Sequence, residues 1–353
     1  YNIYKFDLIK GDIYDQTIRR KISAYVKDNQ SEYLDLIISR LISIKPHIKA
    51  FLFTFDWAPV MRTIVQACQI LEIPTILIPH ESVFADENKY YVDITAKASV
   101  PKTDFILGWG DLQKKIFQDR GYDVANSFEA VGAPKFDQYH NYKPQITREQ
   151  FCQIFRLDQN KKICLFAAQP LDSQFASVPE ARQQQRQAIL DLHKKCLETN
   201  SQLIIRLPPN GEVILNKLIR ETFEEYGITS VDYSENYLVK HIEAIYHSDV
   251  IVSFNSTMLF EGILLGRQVI STKYTEFNSI WEPLEVPTPK NYESLSKAID
   301  CAFEKSWKPK EEGLEWAAKS FGIGYFDGKA TERISNKLAF FSEKIDFKKN
   351  NKI

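Results

Sequence analysis

The segment DVIVSFNSTMLFEGILLG, residues 249–266, starts as an apolar run, passes through a short polar turn and ends in a helical pattern closed by glycine. Its first part, Val250 to Val252, lacks polar alternation, which is typical of a strand buried on both faces of a parallel sheet. The segment therefore predicts a strand, a turn and a helix. The unpaired amides and the positive dipole end of such a helix start favour an anion beyond the carboxyl end of the strand.

The same alternation runs along most of the chain, where short apolar runs are separated by longer stretches of helical period. The predicted strands cover residues 50–55, 75–78, 105–107, 128–131, 163–167, 203–205, 250–253 and 268–271. The predicted helices cover residues 32–44, 59–72, 111–120, 179–199, 212–225, 236–247, 257–265 and 292–305. Alternating strands and helices predict an α/β fold whose parallel sheets are covered by helices.

Two domains are expected, because the chain has 353 residues and a domain typically has about 150. A polar stretch at residues 138–147 interrupts the apolar pattern. We place one α/β domain at residues 1–140, a second at 141–328, and a terminal helix with a tail at 329–353. The domains are expected to face each other across a cleft, with the terminal helix crossing back to the first domain. Because the sequence begins at Tyr1 with no signal region, we expect it to be part of a longer multidomain chain.

Composition excludes several classes of partner. Lys and Arg total 45 against 46 for Asp and Glu, so the net charge of −1 does not predict nucleic-acid binding. No apolar run approaches the roughly 20 residues that span a bilayer. The five scattered cysteines predict neither a disulfide framework nor a zinc site, and they favour the cytoplasm. The Lys-rich end at residues 344–352 would contact an anionic inner membrane or, as we expect, form a solvated tail.

Several familiar motifs are absent from the sequence. It contains no Gly-x-x-x-x-Gly-Lys loop, and the pairs Gly108/Gly110 and Gly322/Gly324 lack the third glycine of a dinucleotide site. Neither His-Glu-x-x-His nor Asp-x-Asp occurs. We therefore expect no metal and no cofactor, so protein groups would have to stabilise a substrate phosphate.

The polar turn after Ser253 supplies the first candidate binding residues. Asn255, Ser256 and Thr257 would meet a phosphate, and Glu261, about one turn further on, would accept hydrogen bonds from ribose hydroxyls. The alternative is that Asn255 or Ser256 only caps the helix and that Glu261 is a surface charge.

Two more strand ends of the second domain carry polar residues. Gln169, Pro170 and Asp172 follow the strand at 163–167, where Asp172 would serve as a nucleophile or a base, or would form an ordinary turn. Arg206 follows the next strand, and its guanidinium would pair either with a phosphate or with a structural carboxylate.

The first domain offers candidate acids and bases at two strand ends. Asp56 follows the first strand, and His80 and Glu81 follow the second. These groups would face the phosphate site across the cleft. Asp56 alternatively caps the helix that begins at Pro59. The histidines at positions 193, 241 and 247 fall in helical patterns and are expected to be structural.

The order of several short motifs resembles a known group of enzymes. These motifs are Val131-Gly132-Ala133-Pro134-Lys135-Phe136-Asp137, Gln169-Pro170, residues 206–209, residues 253–261 and Asp327-Gly328-Lys329-Ala330. In this order they resemble the GT-B glycosyltransferases of bacterial capsule and lipopolysaccharide assembly, most of all the β-Kdo transferases with Gln-Pro and His-Pro motifs. The resemblance implies two Rossmann-like domains, of which the second binds the nucleotide sugar and the first binds the acceptor.

That resemblance implies metal-independent transfer of Kdo or a related acidic sugar from a CMP-activated donor to a surface glycan or lipid-linked glycan. It also implies retention of configuration, with Asp172 as a carboxylate that forms a covalent adduct. The second motif departs from the pattern, because Pro208-Pro209 stands where the family has His-Pro. Arg206 or His80 would have to replace the absent histidine.

Three other functions are consistent with the sequence. The first is a UDP-sugar 2-epimerase, which shares the architecture and needs no acceptor. The second is a glycosyltransferase that uses a UDP-sugar. The third is a catalytically dead module that only binds a nucleotide, as the absent histidine suggests.

Overall fold

The computed structural model describes residues 2–3, 16–56, 58–80, 101–170, 180–208 and 214–350. The chain divides into two compact units, one formed by Tyr1–Asp137 with Ala317–Ile353 and the other by Gln138–Trp316. Each unit contains one parallel sheet, so the predicted α/β class with two parallel-sheet units is confirmed. The chain returns to the first unit at Ala317, ahead of the predicted position 329.

Unit 1 contains a four-stranded parallel sheet in the order β1-β2-β3-β4. Its strands are β1 Phe51–Phe53, β2 Thr75–Leu77, β3 Phe105–Gly108 and β4 Phe128–Ala130. Its helices before the crossing to unit 2 are α1 Gln16–Asp28, α2 Gln30–Ile44, α3 Pro59–Ile70, α4 Asp111–Asp119 and α5 Val124–Ser127. Buried residues of α2 and α3, such as Ile37 and Val65, share a core with Leu77 and Ile106 of the sheet.

Unit 2 contains a five-stranded parallel sheet in the order β7-β6-β5-β8-β9. Its strands are β5 Ile163–Ala167, β6 Gln202–Arg206, β7 Thr229–Asp232, β8 Val250–Ser253 and β9 Gln268–Ser271. Its helices are α6 Arg148–Phe155, α7 Ala181–Glu198, α8 Lys217–Tyr226, α9 His241–His247, α10 Thr257–Leu264 and α11 Tyr292–Phe303. Strands β5, β6 and β8 are fully buried, as their continuous apolar runs predict.

The strand order of unit 2 reverses direction at β5. The chain moves from β5 to β6 and β7 on one side, and then returns to place β8 and β9 on the other side. Open α/β sheets bind ligands outside the carboxyl ends of the strands at such a reversal. The topology therefore points to the space beyond the ends of β5 and β8.

The edge strand β7 is absent from the sequence prediction. Its residues, Thr229 to Asp232, contain a single large aliphatic side chain, and three of the four are only partly buried. An edge strand packs on fewer neighbours than a central one, so it does not need the continuous apolar run by which the other strands are recognised.

Two helices end the described chain, α12 Glu311–Phe321 and α13 Ala330–Asn350. Ile334 of α13 is buried with Ile76 and Leu107 of the unit 1 sheet, and the ring of Phe341 lies 4.7 Å from that of Phe105. The expected return of the terminal helix to the first unit is confirmed.

Candidate functional site

Gln169 and Asn255 meet at the point where the strand order of unit 2 reverses. Gln169 follows β5, and its Oε1 atom accepts a 2.7 Å hydrogen bond from the backbone amide of Asn255, which follows β8. The hydroxyl of Ser253 also donates to the carbonyl of Ala167 at 2.6 Å. The two strand ends are thus joined by side chains beyond the last ladder bonds.

A buried glutamine of α7 holds Gln169 in place. The Oε1 atom of Gln185 accepts from the amide of Gln169 at 3.1 Å, and its Nε2 atom donates to the carbonyl of Gln169 at 3.3 Å. Gln185 is fully buried. Both backbone groups of Gln169 are thus bonded to Gln185, and its side chain reaches the turn after β8.

Two backbone amides at the start of α10 are already hydrogen-bonded within the protein. Ser256 is the N-cap residue, and its side chain accepts from the amide of Met258 at 3.2 Å. The capping role considered for Ser256 is confirmed. The amide of Asn255 is taken by Gln169, so the turn presents fewer amides to an anion than the sequence suggests. The hydroxyls of Ser256 and Thr257 lie on half-buried residues at this edge.

Glu261 is buried in unit 2, with 2% of its surface exposed, so its interpretation as a surface charge is wrong. Its carboxylate accepts a 2.7 Å bond from the Tyr139 hydroxyl and a 3.1 Å bond from the Thr257 hydroxyl. Burial and the neighbouring Glu261 both raise the pKa of Tyr139. The phenol therefore keeps its proton and remains a donor to the carboxylate.

His241 lies next to Tyr139. Its Nε2 atom is 3.3 Å from the side-chain nitrogen of Gln138, and its ring centroid is 6.4 Å from that of Tyr139. The sequence interpretation treats His241 as structural because of its helical pattern. No local pattern reveals its place beside Tyr139, since the two residues are distant in the sequence and meet only through the fold.

Arg206 has the structural role that was one of its two alternatives. Its guanidinium donates to Asp232 and, at 3.1 Å, to the carbonyl of Val239, and it stacks 3.8 Å from the ring centroid of Tyr237. Both charged residues are buried, and burial lowers the pKa of Arg206 while it raises that of Asp232. The charge expected for a phosphate is therefore already paired.

Asp56 lies at the carboxyl end of β1 in unit 1 and is 4% exposed. Its carboxyl accepts a hydrogen bond from the Tyr122 hydroxyl. Helix α3 has Ala58 as its N-cap and no side-chain cap, so the alternative in which Asp56 caps this helix is wrong. Burial raises the pKa of Asp56, although Tyr122, Arg120 and Arg62 each act to lower it.

His80 follows β2 at the same edge of the sheet, because β1 and β2 are adjacent and parallel. Its Nδ1 atom and its backbone amide lie 2.9 Å and 3.3 Å from the carbonyl of Thr54. Since a carbonyl only accepts, Nδ1 carries the proton, and a neutral ring keeps its lone pair on Nε2. Glu81 and Asp172 lie outside the described residues.

The described residues contain neither a metal site nor a membrane-spanning helix. These residues contain no group of three or more His, Cys, Asp or Glu side chains placed to hold a metal ion. No helix in the same ranges combines the length and apolar character needed to cross a bilayer.

Comparison with known proteins gives one curated relative of detectable sequence similarity and many structures of similar fold. No protein-family model matches the chain. The chain is 29% identical over 237 residues to the UDP-N,N'-diacetylbacillosamine 2-epimerase (hydrolyzing) of Legionella pneumophila. The alignment covers 65% of this chain and 52% of that protein, so the chain spans about half the length of this relative.

Two solved structures illustrate the shared fold. The UDP-GlcNAc 2-epimerase of Neisseria meningitidis bound to UDP-GlcNAc has a TM-score of 0.61 at 15% identity, over 88% of this chain and 80% of that one. The wall teichoic acid polymerase TagF has a TM-score of 0.52 at 15% identity, over 77% and 68% of the two chains. The predicted GT-B class of fold is confirmed, and the relatives are enzymes of that class. They support the epimerase-like alternative better than transfer from a CMP-activated donor.

Proposed function

We propose that this chain carries out the chemistry of a UDP-sugar 2-epimerase on an N-acetylated amino sugar. The observation that carries the proposal is the 29% identity over 237 residues to an enzyme named for this reaction. The fold, which resembles that of an epimerase bound to UDP-GlcNAc, is consistent with it. The alignment covers 52% of that relative. The activity of the whole protein is therefore also part of the proposal.

In this proposal the UDP moiety binds unit 2 beyond the ends of β5 and β8. The hydroxyl of Ser256 would donate to a phosphate. The hydroxyl of Thr257, which donates to Glu261 in this structure, would turn to the phosphate as Glu261 accepts from the ribose hydroxyls. Gln169 would set the position of the turn through its bond to the Asn255 amide. Arg206 has no role as a phosphate ligand, because Asp232 already pairs with it.

Inversion at C2 with release of UDP requires an acid and a base. A base removes the C2 proton while the C1–O bond breaks, the C2–H electrons form the C1=C2 double bond, and UDP leaves with the C1–O electrons. Water then adds its hydroxyl to C1, and C2 takes a proton on the opposite face. Asp56 and His80 are the described candidates for these proton transfers. Glu81 and Asp172 remain candidates from the sequence, and we propose that neither a metal nor a cofactor is needed.

The test is incubation with UDP-GlcNAc or UDP-N,N'-diacetylbacillosamine in D₂O, followed by NMR of the sugar. The expected products are UDP and a free C2-epimer that carries deuterium at C2. Asp56→Asn should abolish deuterium uptake, whereas Asp119→Asn, which changes an exposed aspartate of α4, should not. The proposal fails if wild-type protein binds UDP and yet leaves C2 unlabelled with either sugar.

Glycosyl transfer is the second candidate, and the Gln169-Pro170 motif favours it. In that case the donor is a UDP- or CMP-activated sugar, with Kdo or a related acidic sugar as one form, and a surface glycan or lipid-linked glycan is the acceptor. A glycosyltransferase of this kind would act in the cytoplasm, at the surface of the inner membrane. Transfer of the sugar to an acceptor without deuterium at C2 would favour the glycosyltransferase. Nucleotide binding with no turnover of any donor would favour the catalytically dead module that only binds a nucleotide.

A further inference from the structure

Unit 2 has few cations that could meet a phosphate beyond the ends of β5 and β8. Charge-assisted hydrogen bonds are the strongest that a side chain forms with a phosphate, but Arg206 is already bonded to Asp232. Between the five strands and the helices that follow them, the sequence contains no further arginine and three lysines, Lys240, Lys273 and Lys290. Of these, Lys273 comes soonest after its strand, because it is the second residue beyond β9, the neighbour of β8.

The register of the sheet places Lys273 beside the turn that leads into α10. Ser253 of β8 pairs with Ser271 of β9, and the amide of Thr272 donates to the carbonyl of Ser253 at 2.8 Å. Neighbouring strands lie about 4.8 Å apart, so the next residue, Lys273, begins one strand away from the turn after β8. The flexible four-carbon stem of a lysine spans that separation.

The loop that carries Lys273 is bonded to the same turn. The side chain of Asn255 donates to the carbonyl of Asn278 at 3.4 Å and accepts from the amide of Ile280 at 3.3 Å. Asn255 is itself held by Gln169. The loop after β9 and the turn after β8 therefore keep a fixed relation to each other.

The ammonium group of Lys273 has two contacts at this edge of the sheet. It lies 5.9 Å from the ring centroid of Phe277, whose ring stacks on that of Phe254, the residue before Asn255. It also lies 3.3 Å from a carboxylate oxygen of Glu276, whose side chain is 74% exposed, whereas that of Lys273 is 25% exposed. Water screens an ion pair with such an exposed carboxylate, so this pair is weak.

Glu276 has a second cation as a partner. The Nζ atom of Lys290 donates to its other carboxylate oxygen at 3.0 Å. Lys290 and Lys273 together hold the pKa of Glu276 below its usual value. If Lys273 turned away, the carboxylate would remain exposed to water and paired with Lys290. Lys273 therefore has a partner that it can exchange at little cost.

We propose that Lys273 binds a phosphate of the nucleotide at the start of α10, and that Glu276 competes with this phosphate for the ammonium group. On binding, the ammonium group leaves the carboxylate of Glu276 and donates to a phosphate oxygen, while Lys290 stays with Glu276. The inference rests on the proposed function, since it takes the UDP moiety as the ligand, and it adds the cation that Arg206 does not provide.

Replacement of each member of the pair tests the exchange by isothermal titration calorimetry with UDP. Lys273→Met keeps the apolar stem and should weaken binding by about tenfold or more. Glu276→Gln frees the ammonium group and should strengthen binding by about twofold to fivefold. If Lys273 only fixes the loop through Glu276, both variants lose the same ion pair. A change of affinity in the same direction in both would overturn the inference.

Lys290→Met is the matched control, because it removes a positive charge and a bond to the same carboxylate. It should leave the Kd within about twofold of wild type. The double variant Lys273→Met/Glu276→Gln separates competition from a long-range effect of charge, since Glu276→Gln should have no effect once the lysine is absent. A gain that persists without the lysine would overturn the inference. Glu276→Gln also keeps the proposal testable if Lys273→Met does not fold.

The outcomes distinguish this inference from the proposed function. If Lys273→Met binds UDP as wild type does, the inference is overturned and the proposed function stands. If wild type binds no UDP, the melting temperature is recorded with inorganic pyrophosphate. A rise in wild type that Lys273→Met lacks and Lys290→Met keeps would retain the anion site while the UDP-sugar function fails. No rise in wild type would overturn both.

Discussion

The phenol of Tyr139 donates a 2.7 Å hydrogen bond to the carboxylate of Glu261, although 122 positions separate the two residues. Tyr139 is 4% exposed and Glu261 is 2% exposed. Tyr139 is the second residue of unit 2, directly after the chain leaves unit 1. In this structure the carboxylate proposed for the ribose is therefore bound to a donor of its own unit.

Replacement of Tyr139 by Phe tests whether Glu261 receives the ribose. The variant leaves a buried carboxylate with one donor fewer, so the free energy of unfolding should fall by about 1–3 kcal/mol. Ribose hydroxyls would supply the missing donor, so UDP should raise the melting temperature more in Tyr139→Phe than in wild type. Tyr233→Phe, at an exposed tyrosine, is the control. An equal UDP-induced shift in wild type and Tyr139→Phe would exclude Glu261 as the ribose ligand.

Replacement of Gln169 by Glu tests the placement of the phosphate. A carboxylate accepts from the Asn255 amide as the amide oxygen does, but Gln169 is 5% exposed, so the buried charge should lower the melting temperature of the variant, and binding is measured well below that temperature. The added negative charge at the ends of β5 and β8 should raise the Kd for UDP by about tenfold or more. Gln159→Glu adds the same charge at an exposed site and should not change the Kd. An unchanged Kd in Gln169→Glu would place the phosphate elsewhere.

Replacement of Asp56 by Asn tests the ionisation of this buried carboxyl. Because burial raises its pKa in the folded protein, the unfolded chain loses this proton at a lower pH than the folded protein does. The free energy of unfolding therefore falls as pH rises from the unfolded pKa to the folded one. Asn keeps an acceptor for Tyr122 and does not titrate, so the variant should gain stability relative to wild type as pH rises above about 4.

Urea unfolding at several pH values measures this difference directly. The same preparations, assayed for deuterium uptake at C2, should show activity lower by about 10²-fold or more if Asp56 transfers a proton. Parallel stability curves for wild type and Asp56→Asn would contradict the raised pKa. Retained activity would remove Asp56 from the proton transfers.

The sequence predicts the fold well because the central strands have a pattern of apolar residues that can be recognised locally. Strands such as β5 and β8 are buried on both faces, so their sequences are uninterrupted runs of apolar residues. The meeting of Gln169 and Asn255 also follows, since both residues come after strands whose carboxyl ends share an edge. Contacts between side chains of distant elements produce no local sequence pattern of this kind. The contact of Tyr139 with Glu261 has no sequence spacing from which it can be recognised.

Arg206 shows most clearly how a strand-end cation misleads. In the sequence it has the position of a phosphate ligand, but its guanidinium is bonded to Asp232 on the neighbouring strand and stacked on Tyr237. Removal of one partner of a buried pair leaves the other charge uncompensated, so Asp232→Leu should lower the free energy of unfolding by about 3–5 kcal/mol. The exposed pair of Lys217 and Glu221 is the contrast, and Glu221→Ala there should cost less than about 1 kcal/mol.

The double variant Arg206→Met/Asp232→Leu separates a structural role from a binding role. It removes both charges together, so most of the stability lost in Asp232→Leu should return, because apolar side chains of similar volume replace buried ion pairs at little cost. Urea unfolding gives the stability, and titration calorimetry with UDP gives the affinity. If Arg206 is structural, the double variant binds UDP as wild type does. A Kd raised about tenfold in a stably folded double variant would mean that the guanidinium contacts the phosphate after all, and that nucleotide binding breaks its bond to Asp232.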